Sequence, residues 1–108
     1  MNLKIDKMRG KIGIPLEVLD KIIKTIKINK KIEEIILFGS RAKNSFKPGS
    51  DIDIAIIAND ISYNELNQIR VDINELLLPY YVDIVDYNRI TNDSLKDHIS
   101  RVGQVFKP

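Results

Sequence analysis

Residues 37–58 of the sequence, LFGSRAKNSFKPGSDIDIAIIA, decide the fold that we predict. A short apolar run, residues 35–38, stops at a glycine, and an alternating run, residues 51–58, follows after a loop. Apolar and β-branched runs of this length, bounded by glycine and polar residues, are typical of strands. The sequence therefore predicts two strands joined by the loop 39–50, which opens with Gly-Ser.

Two carboxylates lie at the start of the second predicted strand. Side chains two residues apart on a strand point to the same face, so Asp51 and Asp53 should lie side by side, with their Cβ atoms roughly 7 Å apart. Hard cations such as Mg²⁺ take oxygen ligands and usually combine one or two carboxylates with waters and substrate phosphates. The pair therefore predicts a metal ion that binds together with a phosphate ligand.

A third candidate carboxylate is Asp83, in the middle of a predicted third strand over residues 81–87 (YVDIVDY). A neighbouring strand could bring it beside the pair, although the sequence leaves the strand order open. Asp86 is its rival, but three residues away on a strand it should face the other side. Two metal ions about 3.5–4 Å apart would offset the mutual repulsion of three carboxylates and stabilise a displacement at phosphorus.

The loop after the first strand contains candidate groups for a triphosphate. Its glycine allows close approach of the backbone to a phosphate, and amide groups at the start of a short helix favour an anion. The adjacent serine adds a hydroxyl contact, and basic residues place positive charge in the same loop. The predicted nucleotide-binding residues are Gly39, Ser40, Arg41, Lys43 and Ser50, with Lys47 as a further positive charge.

A helix is predicted before the first strand, over residues 15–29. Pro15 suits a first turn, and apolar residues follow it at helical spacing. The lysines on the other side could contact a phosphate backbone or an acidic partner, although a solvated helix face is the simpler explanation. Residues 1–14 are interpreted as a basic N-terminal arm.

Two more helices complete the pattern. Ser62 and Glu65 form a capping box that starts one helix, which we expect Pro79 to end. Thr91 or Asn92 caps the last helix. Its apolar face is predicted to contain Leu95, Ile99, Val102 and Phe106. The single histidine, His98, lies beside that face, so we expect it to have a structural or surface role and do not propose it as a base.

The order of elements predicts an α/β (α+β) fold in which helices cover a small mixed β-sheet. With 108 residues the chain has room for one domain, residues 15–108. A net charge of +2 is too small to predict nucleic acid as a specific ligand. The absence of cysteine excludes disulfides, and no apolar run approaches the ~18 residues of a membrane span, so we expect a cytoplasmic protein.

Residues 35–57 resemble the signature of the DNA polymerase beta-like nucleotidyltransferase superfamily, IILFGSRAKNSFKPGSDIDIAII here. The short chain resembles the minimal branch of that superfamily, the MNT-type antitoxins, and residues 95–106 (LKDHISRVGQVF) are similar to its usual last helix. Two positions depart from the pattern: Asn44 stands where a glycine is frequent, and the chain ends Phe-Lys-Pro rather than with a tyrosine. Neither departure involves a predicted metal ligand. They therefore weaken the assignment to this branch more than they weaken the predicted chemistry.

The resemblance implies a polymerase beta-like fold and a role for each candidate residue. Asp51 and Asp53 would bind two Mg²⁺ ions, Asp83 would bind the ion that activates the acceptor hydroxyl, and Gly39 and Ser40 would hold the triphosphate of ATP. It also implies a partner, because members of this branch are commonly encoded beside a HEPN toxin, an RNase. Several of them silence that toxin by attaching AMP from ATP to a tyrosine.

Three functional hypotheses follow. The leading one is an enzyme that moves AMP from ATP to a hydroxyl of a HEPN toxin and thereby acts as an antitoxin. The second is an antitoxin that neutralises its toxin by binding alone, and the third, which the short chain disfavours, is an adenylyltransferase acting on an antibiotic. Because larger relatives use an added domain to hold the acceptor, we expect a homo-oligomer or hetero-oligomer to complete the site.

Overall fold

The computed structural model describes residues 13–43, 45, 47 and 49–106. The elements, in chain order, are α1 Leu16–Lys27, β1 Ile32–Phe38, α2 Gly39–Ala42, β2 Ile52–Ala58, α3 Tyr63–Asn74, β3 Val82–Asp86, a 3₁₀ turn Tyr87–Arg89, α4 Asp93–Val102 and β4 Gln104–Phe106. Most of the predicted basic arm and Asn44 lie outside the described residues. None of the helices in this part of the chain has the length and hydrophobicity needed to span a membrane.

The four strands form one sheet in the order β3-β2-β1-β4. β1 pairs in antiparallel fashion with both β2 and β4, whereas β2 and β3 are parallel. The parallel pair needs a crossover connection, which α3 supplies. The predicted small mixed sheet covered by helices is therefore confirmed.

Each face of the sheet packs against different helices. On one face, α1 and α3 cover a large core that includes the alternating isoleucines of β2, Ile52, Ile54 and Ile56. The opposite face has a smaller cluster of Ile36, Phe38 and Ala55, packed against Ile99 of α4. Because alternate residues of a strand point to opposite faces, Asp53 of β2 projects on the same side as Ala55, the side of α4.

The predicted last helix is too long, and the placement of Phe106 on it is wrong. α4 ends at Val102, and the next residues form β4, in which Phe106 pairs with Ile35 and is buried in the core. Gly103 allows this change of direction, since a β-carbon there would collide with the Ile99 carbonyl oxygen and the Ile36 side chain. The spacing of Phe106 happened to continue the helical pattern, although the residue belongs to a strand.

Two other predicted boundaries also differ. β1 begins at Ile32, three residues before the predicted start at 35, and its pairing with β2 is irregular between Ile32 and Glu34. α3 begins with the predicted capping box of Ser62 and Glu65, but it ends at Asn74, well before Pro79. The chain leaves the helical conformation by Leu77, whose φ of 52° lies in the left-handed region, before it reaches the proline.

We expect Glu65 to make the stability of the fold depend on pH in the acidic range. Its carboxylate accepts hydrogen bonds from Lys31 Nζ at 2.8 Å, from the Ser62 amide at 3.1 Å and from Asn29 Nδ2 at 3.1 Å. These bonds, that of Lys31 foremost, lower the pKa of Glu65 from 4.5 to about 2. A lowered carboxylate pKa gives stability that is complete above the ordinary value and is lost as the pH falls towards the folded value.

Wild type should therefore lose more stability between about pH 5 and pH 2 than Glu65→Gln, which keeps an acceptor but does not titrate. Denaturant unfolding of both proteins across this range measures the difference. Parallel curves would contradict this assignment.

Candidate active site

The strand register places Asp53 directly beside Asp83. Asp53 of β2 and Asp83 of β3 are partners in the parallel ladder, and Asp51 lies two residues earlier, at the entrance to β2. Asp83 and Asp51 both lie close enough to Asp53 to raise its pKa by charge repulsion. The structure thus brings together the three carboxylates that the sequence predicted to converge.

Asp86, the rival third carboxylate, lies elsewhere. It is paired with Ile56 further along the ladder, is almost fully buried, and forms a salt bridge of 3.1 Å with Arg89 Nε. It also caps the 3₁₀ turn by accepting a hydrogen bond from the Asn88 amide. Asp86 therefore has a structural role at the far end of β3.

The carboxylate cluster has a strong excess of negative charge. Burial raises the pKa of Asp53 above its usual value, and repulsion by Asp83 and then by Asp51 raises it further, while His98 has a smaller opposite effect. No lysine or arginine among the described residues forms a salt bridge with any of the three aspartates. In the part of the chain that the structure describes, this cluster therefore has no ion-pair partner.

The donor set fits a divalent ion that binds with its substrate. Within the described ranges, no group of three or more acidic or histidine side chains is arranged so that it could hold a metal ion by itself. An open set of carboxylate oxygens is nevertheless what Mg²⁺ uses in nucleotide sites, where waters and phosphate oxygens complete its octahedron. Mg²⁺ held by Asp51, Asp53 and Asp83 would remove the repulsion that raises the pKa of Asp53.

Gly39 makes room for the carboxylate cluster at the start of α2. It has a φ of +75°, a conformation that favours glycine, and a β-carbon at this position would collide with Asp53 Oδ2. Glycine is therefore required here for two reasons, the backbone conformation and the space. The Gly-Ser turn and the carboxylates lie against one another, as the sequence predicted.

The other residues predicted to bind the nucleotide differ in their burial and contacts. Arg41 is buried; its Nε and Nη2 atoms donate to the Ser50 carbonyl at 3.2 and 2.9 Å, and its guanidinium lies over the Tyr80 ring. Ser50 Oγ accepts a hydrogen bond from the Lys47 amide at 2.8 Å. These contacts hold the ends of the loop together, whereas Lys43 and Lys47 are exposed. Direct contact of any of these residues with a nucleotide stays a prediction.

Two residues of the C-terminal segment contact α2, and the sequence did not indicate them. His98 Nε2 accepts a hydrogen bond from the Gly39 amide at 3.2 Å, and its ring meets Phe38 edge-on. Gln104 Nε2 donates to the Ala42 carbonyl at 3.1 Å. The contacts join residues 59 and 62 positions apart, a separation at which spacing contains no signal. His98, for which the sequence predicted a structural or surface role, thus makes its structural contacts next to the candidate site.

Asp53→Asn should stabilise the metal-free protein while removing a ligand. Because the folded state raises the pKa of Asp53, ionisation of this group destabilises the fold above its ordinary pKa of 3.8. In EDTA at neutral pH we expect the Tm of Asp53→Asn to exceed that of wild type by a few degrees, and that of the more exposed Asp51→Asn to rise less. A Tm of Asp53→Asn at or below that of wild type would show that the cluster is not repulsive.

Comparisons with known proteins show which family the chain belongs to. The profile of the polymerase beta nucleotidyltransferase family matches residues 20–107, so the chain belongs to that family. It is a nucleotidyltransferase domain with a polymerase beta-like fold. No curated protein sequence matches the chain significantly.

Solved structures of toxin–antitoxin complexes contain similar chains. A complex crystallised with AMP-PNP matches at 30% identity and a TM-score of 0.67, over 80% of this chain and 69% of that one. An MntA–HepT complex matches at 27% identity and 0.65, over 84% and 70%. A complex of the tri-AMPylated HEPN toxin of Shewanella oneidensis with its MNT antitoxin matches at 28% identity and 0.62, over 82% and 67%. The chain is therefore similar to MNT antitoxins crystallised with their toxins.

Proposed function

We propose that this protein transfers AMP from ATP, with Mg²⁺, to a tyrosine hydroxyl of a HEPN-type toxin, and so acts as an antitoxin. The observation that supports it best is the pairing of Asp53 with Asp83 beside the Gly39 turn. A family match alone supports nucleotidyl transfer in general. The similarity to a chain crystallised with a tri-AMPylated toxin supports AMP as the group transferred and a protein as the acceptor.

The reaction is a displacement at the α-phosphorus of ATP. The acceptor hydroxyl releases its proton to solvent and its oxygen forms a bond to this phosphorus. The bond to the oxygen that bridges the α- and β-phosphates breaks, and pyrophosphate leaves. Bound Mg²⁺ would stabilise the attacking and leaving oxygens of this displacement. Asp51 and Asp53 would hold the ions on the nucleotide side, and Asp83 would hold the ion next to the acceptor hydroxyl.

The chain's own residues fix the geometry of the substrates. Gly39 and Ser40 would seat the triphosphate against the carboxylates, and exposed Lys43 and Lys47 would attract its negative charge. Arg41, through the Ser50 carbonyl, keeps the loop closed behind the turn. Orienting two reactants in this way converts a bimolecular step into an effectively unimolecular one.

Mass spectrometry of the toxin tests the proposal. The purified protein is incubated with ATP, Mg²⁺ and the HEPN-type toxin encoded beside it, and the toxin is then weighed intact and mapped by peptide. We expect the toxin to gain whole AMP units on tyrosine and to lose RNase activity. A toxin that is silenced in a stable complex, with no gain in mass, would instead favour neutralisation by binding alone.

A further inference from the structure

The helix that begins with Gly39 is too short to be stable by itself. α2 contains four residues, Gly39–Ala42, and a single turn is unfavourable because nucleation fixes several backbone angles for few hydrogen bonds. Gly39 adds to this cost because glycine loses more backbone freedom than other residues when it is fixed. External contacts must therefore hold α2 in place.

The C-terminal segment contacts both ends of this turn. At its first residue, the Gly39 amide donates to His98 Nε2 on α4 at 3.2 Å. At its last residue, the Ala42 carbonyl accepts from Gln104 Nε2 on β4. The two contacts satisfy a backbone donor and a backbone acceptor that the short helix leaves unpaired.

The segment that makes these contacts is itself firmly held. Ile99, next to His98, is buried with Ile36 and Phe38 on the sheet. Gln104 pairs with Leu37 in the ladder between β4 and β1, and β1 leads directly into α2. His98 and Gln104 are thus fixed to the same rigid sheet that positions Asp53.

We infer that His98 and Gln104 are positioning residues, which clamp α2 at its two ends and thereby hold the Gly-Ser turn against the carboxylates in the orientation that ATP requires. This inference rests on the proposed function, because it assumes that α2 seats the triphosphate. Neither residue is a catalytic group, since both act through the backbone of α2. Loss of the clamp leaves the aspartates in place but lets the turn move.

The His98 contact is tested with two variants of different chemistry. His98→Gln presents an acceptor near the position of Nε2, whereas His98→Leu has none. Since one hydrogen bond contributes a modest net free energy, we expect His98→Leu to raise the KM for ATP and the Kd for Mg²⁺-AMP-PNP about 3- to 10-fold. His98→Gln should stay within about 2-fold of wild type, and Gln104→Met should resemble His98→Leu.

Ile99→Val is the matched control for a simple loss of stability. It removes one methylene from the packing of α4 and lowers the Tm, but it leaves both clamp contacts in place. We expect its KM for ATP to equal that of wild type. The inference is contradicted if Ile99→Val raises the KM for ATP as much as His98→Leu does. It is also contradicted if His98→Gln does not keep this KM close to the wild-type value.

A measurement without nucleotide separates this inference from the proposed function. Amide hydrogen exchange of Gly39 and Ser40 reports directly on the opening of α2. We expect exchange at both amides to be at least about 3-fold faster in His98→Leu than in Ile99→Val. Equal rates would contradict the clamp even if the protein transfers AMP, whereas faster exchange in a protein that binds no ATP would support the clamp and refute the function.

Discussion

Replacing Asp51 and Asp53 together with asparagine should lower kcat/KM for AMP transfer at least about 1,000-fold, because it removes the carboxylates that would hold Mg²⁺ on the nucleotide. The fold should survive, since Asp51 is exposed and Asp53 forms no salt bridge within the described residues. The repulsion that raises the pKa of Asp53 also disappears. The assay is transfer of labelled AMP to the toxin, with circular dichroism to verify folding.

The control for this double variant changes the net charge equally at another place. Glu33→Gln with Glu75→Gln removes two exposed carboxylates, one on β1 and one just after α3. We expect this control to retain AMP transfer within about 2-fold of wild type, because surface substitutions away from a binding site or a buried network have small effects. A folded Asp51→Asn, Asp53→Asn protein that still transfers AMP at the wild-type rate would exclude these aspartates as metal ligands.

Gly39→Ala should lower kcat/KM for transfer at least about 100-fold, the second largest effect that we expect. The new β-carbon collides with Asp53 Oδ2, and the φ of +75° is strained for alanine. Relief of the collision requires the turn or the carboxylate to move, and displacement of a reacting group by about 1 Å can reduce the rate 100-fold. The measurement is the steady-state kinetics of AMP transfer.

Gly49→Ala is the control for backbone strain alone. Gly49 has a similar φ of +84°, but among the described residues no atom, chain neighbours apart, lies within 4 Å of a β-carbon placed there. Both variants should lose about 1–2 kcal/mol of stability from the left-handed conformation, while only Gly39→Ala should lose transfer. Equal loss of activity in the two variants would mean that strain in the loop, rather than the space beside Asp53, explains the effect.

The features that could be predicted from the sequence are those that depend on neighbours in the chain. The alternation of β2 placed Asp51 and Asp53 on one face without any knowledge of the sheet, and the capping box of Ser62 and Glu65 marked the start of α3. Both are short-range patterns with a direct physical cause. The fold class followed from the order of these elements.

The features that could not be predicted depend on contacts between distant parts of the chain. The register that pairs Asp53 with Asp83 joins two strands that α3 separates in the chain, and no local pattern contains it. Phe106 kept a helical spacing although it lies in β4. His98 showed the same difficulty, because a residue beside an apolar helix face gives no sign that its ring will bind an amide 59 positions away.

The central claim is that the three aspartates and the Gly-Ser turn form one site for ATP and its metal ions. Anomalous diffraction from crystals grown with Mn²⁺ and AMP-PNP tests it most directly, because Mn²⁺ replaces Mg²⁺ at oxygen sites and its position can be assigned from the signal. We expect Mn²⁺ bound by carboxylate oxygens of Asp51, Asp53 and Asp83, with the triphosphate seated on Gly39 and Ser40. Nucleotide bound elsewhere, or Mn²⁺ absent from these carboxylates while nucleotide is bound, would contradict it.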